Sequence, residues 1–341
     1  MSHATGFRRR IRLGPGAEFD LISSLLDRDG DLPPEVVVGP GDDAAVIEGG
    51  RLVLSCDLAV EGVHFRRDWL SPREIGYRAA AGALSDLAAM AATPLAALVS
   101  YGLTPEDLRT GIARDLQEGI DEACHAVGAA VVGGDLSRST TLVIDVVVVG
   151  RAEAPVLRDG ARVGDEVWVT GRLGRSGAAL RRLLRNGPSD EVARSVYARP
   201  EPRVREALWL AERADLHALI DLSDGLGGDA GHVAAASRVG IVLEAARVPL
   251  DPLVAEAAEN GRESLDRALS SGDDYELCLV AAPGAVEGLA AGFESRFSLP
   301  LTRVGRVVEG QGAYLDVGDG EPVPLRGSGY DHAAPSEPGP G

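Results

Sequence analysis

The sequence of 341 residues contains no lysine, and all 34 of its lysine-or-arginine positions are arginine. Without lysine, neither a Walker A motif nor the strand lysine of protein kinases can be present, and Schiff-base catalysis is excluded. The sequence also lacks the G-x-S-x-G motif of serine hydrolases. If the protein binds phosphate, it must use metal ions, backbone amides of glycine loops, or arginine.

Cysteine and clustered positive charge are equally scarce. The three cysteines, Cys56, Cys124 and Cys278, are odd in number and scattered, so neither a disulfide framework nor a zinc site is indicated, and we expect a reducing cytoplasm. The formal net charge is -18 and the only basic run is Arg8 to Arg10, which argues against nucleic acid or an anionic membrane as the main partner. No apolar stretch follows the N-terminal arginines, so no signal peptide is expected.

One apolar segment, residues 79–103, is long enough for a membrane helix and carries a single charge, Asp86. Its alanine content, the Thr93-Pro94 break and the central acid favour a buried helix of a soluble protein instead.

The length and the 45% hydrophobic content allow two cores, and we predict an α+β fold of two αβ domains. The segment Arg151 to Gly164 separates an N-terminal domain (1–150) from a C-terminal domain (151–332), and the Pro/Gly-rich residues 333–341 are predicted to be disordered. The predicted strands are Val36 to Val38, Leu52 to Cys56, Leu142 to Val149, Glu166 to Thr170, Ile241 to Leu243 and Glu276 to Val280. The predicted helices begin at Pro72, Pro105, Ser176, Pro202, Leu226 and Leu253, and the second has an apolar face of Leu108, Ile112, Leu116, Ile120 and Val127.

Aspartates sit inside apolar, glycine-bearing stretches of this sequence. They are Asp42 and Asp43, Asp57, Asp86, Asp135, Asp221, Asp224 and Asp229, and Asp273 and Asp274. A carboxylate buried by such surroundings is costly unless a positive group meets it, and arginine is seldom adjacent in sequence. Oxygen ligands without a His or Cys cluster favour Mg²⁺, Mn²⁺ or Ca²⁺ over zinc, and magnesium usually accompanies phosphate.

The local context sorts these acids further. Asp57, Asp135 and Asp221 each follow an apolar run, where α/β folds place ligands at strand ends. Asp86 lies in the middle of a predicted alanine-rich helix, where a cap or a core salt bridge is the alternative to a ligand role. The segment Thr170 to Gly177 opens a helix whose N-terminus suits an anion, although such a glycine loop is more often a plain turn.

Seven motifs occur in an order and spacing that resemble the thiamine-monophosphate kinases, a family of the ATP-binding superfamily typified by aminoimidazole ribonucleotide synthetase. They are GPGDDAAVI, SCDLAVEGVHF, ALSDLAAMAATP, VVGGDLS, RDGARVGDEVWVTGRLGRSGAAL, IDLSDGL and SGDDYELC. The resemblance runs from about Glu18 to Tyr330, nearly the whole chain.

This resemblance implies an N-terminal αβ domain that forms a homodimer through its sheet, a C-terminal αβ domain, and ATP in the cleft between them. The implied reaction converts ATP and thiamine monophosphate to ADP and thiamine diphosphate. The implied magnesium ligands are Asp42, Ser55, Cys56, Asp57, Asp86, Asp135, Asp221 and Asp224. The implied ATP contacts are Gly134, Asp135, Arg158 and Ser223; the implied substrate contacts are His64, Asp273 and Tyr330; and the main catalytic residues are Asp57, Asp135, Asp221 and Arg158.

The sequence departs from the family pattern at three of these motifs. Cys56 replaces the usual Thr or Ser, so a backbone carbonyl is an alternative ligand there; Asp273 replaces a Glu; and Leu136 stands where Thr is common. Three of the implied contacts have alternative interpretations. His64 could be an ordinary surface histidine, Tyr330 could serve only in packing, and Arg158 could form a solvated ion pair with Asp159. Asp43, Asp229 and Asp274 are expected to form local hydrogen bonds rather than to bind metal.

The acceptor phosphate of such a reaction is largely anionic at neutral pH, so no general base is required. We expect direct in-line transfer, with several Mg²⁺ ions bridging the two sets of phosphate oxygens and without a phosphoenzyme. The alternatives are another synthetase of the same superfamily, similar to aminoimidazole ribonucleotide synthetase, and a non-catalytic acidic metal-binding protein.

Overall fold

The computed structural model describes residues 36–38, 42–48, 51–258 and 260–325. Predictions about Tyr330 and about the tail 333–341 lie outside these residues. The strands are β1 (Val36–Val38), β2 (Ala45–Ile47), β3 (Leu52–Val60), β4 (Thr93–Leu103), β5 (Ala130–Arg138), β6 (Val143–Arg151), β7 (Glu166–Thr170), β8 (Leu216–Asp221), β9 (Gly240–Glu244), β10 (Leu277–Ala281), β11 (Leu301–Val308), β12 (Gly312–Asp316) and β13 (Val323–Pro324). The α-helices are α1 (Pro72–Ala89), α2 (Pro105–Thr110), α3 (Ala113–Ala126), α4 (Arg175–Asn186), α5 (Glu191–Ala198), α6 (Val204–Ala211), α7 (Leu226–Ser237), α8 (Pro252–Ala257), α9 (Gly261–Ser270) and α10 (Ala290–Phe297).

The first six strands form a mixed sheet in the order β1-β2-β3-β6-β4-β5, and helix α1 packs on its inner face. Helix α1 begins where Ser71 accepts the backbone N–H of Glu74 while Glu74 accepts the N–H of Ser71, with Pro72 in the first turn. Its alanines are almost completely buried, and small side chains allow the helix to lie close to the sheet. Asp86 is therefore carried into the molecule by a helix that is buried over most of its length.

Helices α1 and α3 cross at a contact that only glycine allows. A Cβ atom on Gly119 would lie 1.9 Å from the carbonyl oxygen of Arg73, and one on Gly76 would lie 2.0 Å from that of Leu116. The backbones of the two helices are therefore in direct contact at both glycines, and this contact sets the position of α3 on α1.

Gly119→Ala should destabilise the protein by about 1–3 kcal/mol, because the methyl group forces the two helices apart. Gly231→Ala in helix α7 is the matched control, since no atom lies within 4 Å of its added Cβ and a helical alanine should stabilise by about 0.5–1 kcal/mol. Urea unfolding of both variants measures the difference, and equal stabilities would contradict the close crossing.

The remaining strands form a second mixed sheet in the order β13-β12-β9-β11-β7-β10-β8. Helices α7 and α9 pack on one face and α6 and α10 on the other. Helices α4 and α5 instead join the core of the first sheet through Leu183, Ala193 and Tyr197. The α+β prediction is confirmed, and the two halves share a packed interface.

Several local predictions were wrong for identifiable reasons. The helix predicted from Pro105 is two helices, because Gly111 adopts a left-handed conformation (φ 75°) that ends α2. The apolar segment 79–103 divides into the end of α1 and strand β4, and no helix within the described ranges is long and apolar enough to cross a membrane. Asp57 and Asp135 lie inside strands β3 and β5 rather than at strand ends, whereas Asp221 is the last residue of β8.

Candidate active site

A cavity of about 690 Å³ lies between the first sheet with α1 and the loops of the C-terminal half. Its lining includes the predicted site residues Cys56, Asp57, His64, Asp86, Asp221, Ser223, Asp224 and Asp273. The fold therefore brings together eight predicted residues, from Cys56 to Asp273, that are separated by up to 217 positions in the chain.

Three carboxylates form the centre of this site. Oxygen atoms of Asp43, Asp86 and Asp221 all lie within 4.8 Å of one another. The hydroxyl of Ser55 donates to Asp86, and the hydroxyl of Ser85 donates to Asp221 at 2.6 Å. These contacts orient the carboxylates, but a neutral hydroxyl does not balance their charge.

The negative charge of this group is only partly balanced within the chain. Burial, with the neighbouring Asp221 and Asp43, raises the pKa of Asp86 well above its ordinary value. Burial and Asp43 likewise raise the pKa of Asp221 to about 7. Within the described ranges, Oδ2 of Asp43 is buried without a hydrogen-bond partner. Hard oxygen donors with an unsatisfied buried carboxylate fit Mg²⁺ or Mn²⁺.

Without divalent ions, the protein should lose stability as pH rises from about 5.5 to about 8. The folded-state pKa of Asp42 and of Asp221 is raised to about 7, so folding favours their protonated forms at lower pH. Asp107 and Asp190, whose pKa values are lowered to about 2, stay ionised across this range and do not oppose the trend. Calorimetry in EDTA should give the higher Tm at the lower pH, and Mg²⁺ should raise Tm more at the higher pH. A metal-free Tm that increases with pH would refute this assignment.

Asp42 lies beside the three-carboxylate centre and is bound to Arg158. The side chains of both residues are buried; the backbone N–H of Arg158 donates to Asp42 at 3.2 Å, and Nη2 of Arg158 lies 2.6 Å from Asp43. Burial raises the pKa of Asp42 to about 7, although Arg158 opposes this effect. The alternative of a solvated Arg158–Asp159 pair is wrong, because the Arg158 guanidinium is enclosed with these acids.

A second group of side chains that could hold a metal ion lies in the loop after β8 and in α7. Asp224, Asp229 and His232 have ligand atoms within 4.8 Å of one another. The backbone N–H of Asp224 donates to Asp229 at 3.2 Å, in agreement with the local hydrogen bond expected for Asp229. Asp229 is buried, which raises its pKa well above the ordinary value. Asp224 thus lines the cavity from a loop whose backbone is hydrogen-bonded to the buried Asp229.

His64 and Asp273 line the cavity near Asp57. Nδ1 of His64 accepts the backbone N–H of Val60 at 3.1 Å, which leaves the proton of the neutral ring on Nε2. Asp273 accepts Nη2 of the buried Arg78 at 2.6 Å and the hydroxyl of Tyr275 at 3.0 Å. Asp273 and Tyr275 both have positive φ values, 63° and 50°, so this segment is held in a strained conformation.

The structure does not bring every predicted residue into the same place. Asp135 and Gly134 lie on β5, at the edge of the sheet, and Asp135 is exposed opposite Ser100. Three strand spacings, roughly 14 Å, separate β5 from β3. Strand alternation also places Ser55 and Asp57 on the inner face of β3 and the thiol of Cys56 on the outer face.

Sequence reasoning missed four residues that shape this site: Asp43, Arg78, Ser85 and Tyr275. Asp43 carried a signal, since it is half of an Asp-Asp pair in a glycine turn. Arg78 carried none, because only the tertiary structure brings it to Asp273. The expectation for Asp274 is confirmed: it accepts the backbone N–H groups of Gly174 and Ser176 at the start of α4.

The chain is similar to known proteins over most of its length. Residues 41–152 match the family model of the AIR synthase related protein N-terminal domain, and residues 162–318 match that of the C-terminal domain. The thiamine-monophosphate kinase of Rhodopirellula baltica is 40% identical over 83% of this chain and 87% of its own length. That of Aquifex aeolicus is 35% identical over 90% of this chain and 96% of its own length.

A solved structure named AaThiL complexed with AMPPCP and TMP superimposes with a TM-score of 0.74 at 32% identity, covering 93% of this chain and 97% of that one. Curated relatives at this identity and coverage, together with the matching two-domain fold, establish the family. The chain belongs to the thiamine-monophosphate kinases, within the AIR synthase related proteins.

Proposed function

We propose that this chain transfers the terminal phosphoryl group of ATP directly to the phosphate of thiamine monophosphate, with several Mg²⁺ ions held by its carboxylates. The observation that carries the proposal is that carboxylate oxygens of Asp43, Asp86 and Asp221 lie within 4.8 Å of one another, beside a cavity that Asp86 and Asp221 line, while the only cation in contact is Arg158 on Asp43 among the described residues. The relative whose structure was solved with AMPPCP and TMP supports the choice of substrates.

The side chains that would hold the ions come from two elements of the N-terminal half, β3 and α1, and from strand β8 and the loop after it in the C-terminal half. Ser55 and Asp57 come from β3, Asp86 from α1, and Asp221 and Asp224 from β8 and its following loop. Bound Mg²⁺ would supply the positive charge that lets two phosphate groups approach each other. The chain's own contribution is to fix these oxygens by the Ser55 and Ser85 hydrogen bonds before substrate arrives.

Arg158 has a supporting role in this proposal. Its side chain lies against Asp42 and Asp43, and within the described ranges its Nε is buried without a hydrogen-bond partner. A permanent guanidinium charge at this edge suits a nucleotide phosphate. Ser223 lines the same cavity, and its carbonyl accepts the backbone N–H of Asp273, so the proposed ATP and substrate contacts are linked through one loop.

His64 and Asp273 are proposed to contact thiamine monophosphate. His64 and Asp273 both line the cavity, and the Asp273 carboxylate suits a cationic thiazolium ring. Tyr330, the third proposed contact, lies outside the described residues.

The chain is also proposed to work as a homodimer through the outer face of its first sheet. Leu58 and Leu98 are 49% and 41% exposed there, and on β6 Leu58 pairs with Asp145 while Leu98 pairs with Val147. An apolar sheet face of this kind is stabilised when a second sheet packs on it.

Dimerisation would also complete the set of proposed ligands. Asp135 is on the outer face, opposite Ser100. In the proposed dimer it would therefore lie at the interface with the partner subunit. We propose that Gly134 and Asp135 serve the partner's site, because within one chain they are too far from Asp57.

Mass spectrometry of the reaction products tests the function. The protein is incubated with ATP and Mg²⁺ plus thiamine monophosphate, free thiamine or formylglycinamidine ribonucleotide. We expect thiamine diphosphate and ADP from the first mixture only, and loss of product on addition of EDTA. Product from the third mixture would instead favour an aminoimidazole ribonucleotide synthetase-like activity, and binding of Mg²⁺ without nucleotide would favour a metal-binding protein.

A further inference from the structure

The active-site cavity contains an arginine that none of the proposed roles uses. Arg181 of helix α4 lines the cavity with Gly177, Leu180 and Leu184, which lie at helical spacing along one stripe. Within the described ranges, its Nε and Nη2 are buried without a hydrogen-bond partner. An unsatisfied buried donor costs stability, so this arrangement favours a ligand acceptor.

The other cavity arginine has a different environment. Arg66 donates to both oxygens of Asp68, at 3.0 and 2.9 Å, and its guanidinium lies over the ring of Trp69. Burial, together with the neighbouring Arg267 and Arg185, lowers the pKa of Arg181, and the charge of Glu263 opposes this effect only in part. The charged guanidinium of Arg181 is therefore unfavourable in this environment, since within the described ranges neither Nε nor Nη2 has a hydrogen-bond partner.

The position of Arg181 along α4 identifies which part of a substrate it can reach. The N-terminal end of α4 contacts the loop of residues 271–274, which carries Asp273 and Asp274. A Cβ on Gly177 would lie 2.2 Å from the Ser271 hydroxyl, and the backbone N–H of Ser176 donates to Asp274. Arg181 lies one turn further, about 6 Å along the axis. It lies beside Leu180 and Leu184, which line the cavity with it.

A phosphate that accepts a phosphoryl group must lie at the acidic, metal-binding end. The opposite end of thiamine monophosphate is an uncharged aminopyrimidine ring with two ring nitrogens that accept hydrogen bonds. The thiazolium ring between them is cationic, which suits Asp273 and is repelled by Arg181. A guanidinium flanked by leucines thus matches an aromatic ring with acceptor atoms.

Resting on the proposed function, we infer that Arg181 is a specificity-determining residue that donates hydrogen bonds from Nε and Nη2 to the aminopyrimidine ring of the substrate. The inference concerns recognition of the organic part of the substrate rather than phosphoryl transfer. Arg181 therefore should affect KM for thiamine monophosphate, and neither KM for ATP nor kcat.

The test compares Arg181→Met with the wild-type protein, since methionine keeps the length and apolar bulk but has no donor. We expect KM for thiamine monophosphate to rise about ten- to a hundredfold, as for loss of a charged hydrogen-bond donor, with kcat and KM for ATP unchanged. Arg185→Met is the matched control, because Arg185 is exposed on the same helix and does not line the cavity. It should leave all three constants unchanged.

Two further measurements separate recognition from a structural role. An analogue with benzene in place of the pyrimidine should bind wild type and Arg181→Met equally, and the variant should unfold at the same temperature as wild type or higher. Wild-type turnover with an unchanged KM for thiamine monophosphate in Arg181→Met, or a raised KM for ATP, overturns the inference alone. If the wild-type protein forms no thiamine diphosphate, the proposed function and the inference both fail.

Discussion

Replacement of Asp221 by asparagine is expected to lower kcat by about 10²–10³-fold, as loss of preorganised charge in an active site commonly does. Asparagine keeps the shape and an oxygen that can accept the Ser85 hydroxyl, so the hydrogen bond observed at 2.6 Å can persist. What the variant loses is a negative oxygen of the group formed with Asp43 and Asp86. The proposed ion at this position would then bind more weakly, and the two phosphates would repel each other more.

The same substitution should raise the stability of the metal-free protein, which separates a functional role from a structural one. Burial makes the ionised form of Asp221 unfavourable, as its raised pKa shows, so a neutral side chain removes a penalty at about pH 8. Steady-state kinetics and Tm in EDTA measure the two effects on one sample. Asp319→Asn, in an exposed turn, is the control and should change neither quantity. Full activity of Asp221→Asn would remove this residue from the proposed metal site.

A heterodimer of one Asp57→Asn chain and one Asp135→Asn chain should recover about half of the wild-type turnover, although each homodimeric variant loses a hundredfold or more. The reason is the separation of Asp57 and Asp135 within one chain, by three strands and on opposite sheet faces. If Asp135 acts in the partner's site, the heterodimer has one doubly altered site and one intact site. Chains with two different affinity tags, expressed together and purified over both columns, provide the sample.

The matched control is a heterodimer of Asp57→Asn with Asp86→Asn. Both residues contact one cavity of one chain, so each site in this heterodimer keeps one defect and no activity should return. Equal inactivity of the two heterodimers would place Asp135 in its own chain's site. An active Asp135→Asn homodimer would exclude Asp135 from the reaction.

Many residues of the candidate site could be predicted from the sequence, because burying a carboxylate within an apolar stretch is unfavourable in any fold unless a positive group or hydrogen-bond donor meets it. Asp86 shows this well: alanine periodicity predicts a buried helix, and an acid in its middle needs a partner whatever the topology. The α+β class and the strand at Glu166–Thr170 were likewise predicted, since their patterns are local. Strand β5 entered the prediction only as the apolar run before Asp135, because its continuation through Gly133, Gly134 and Asp135 shows no apolar alternation.

The sequence by itself determined that acids, glycine turns and arginine, in the absence of lysine, would have to handle phosphate. It could not show which arginines meet which acids, because Arg158 and Asp42, or Arg78 and Asp273, are joined only by long-range packing. Tertiary structure also decided that Asp43 lies beside Asp86 and Asp221 and that Asp135 lies on a different strand and sheet face from Asp57. The physical reason is that residue type and local periodicity set what a side chain needs, whereas strand order and sheet face set what it can reach.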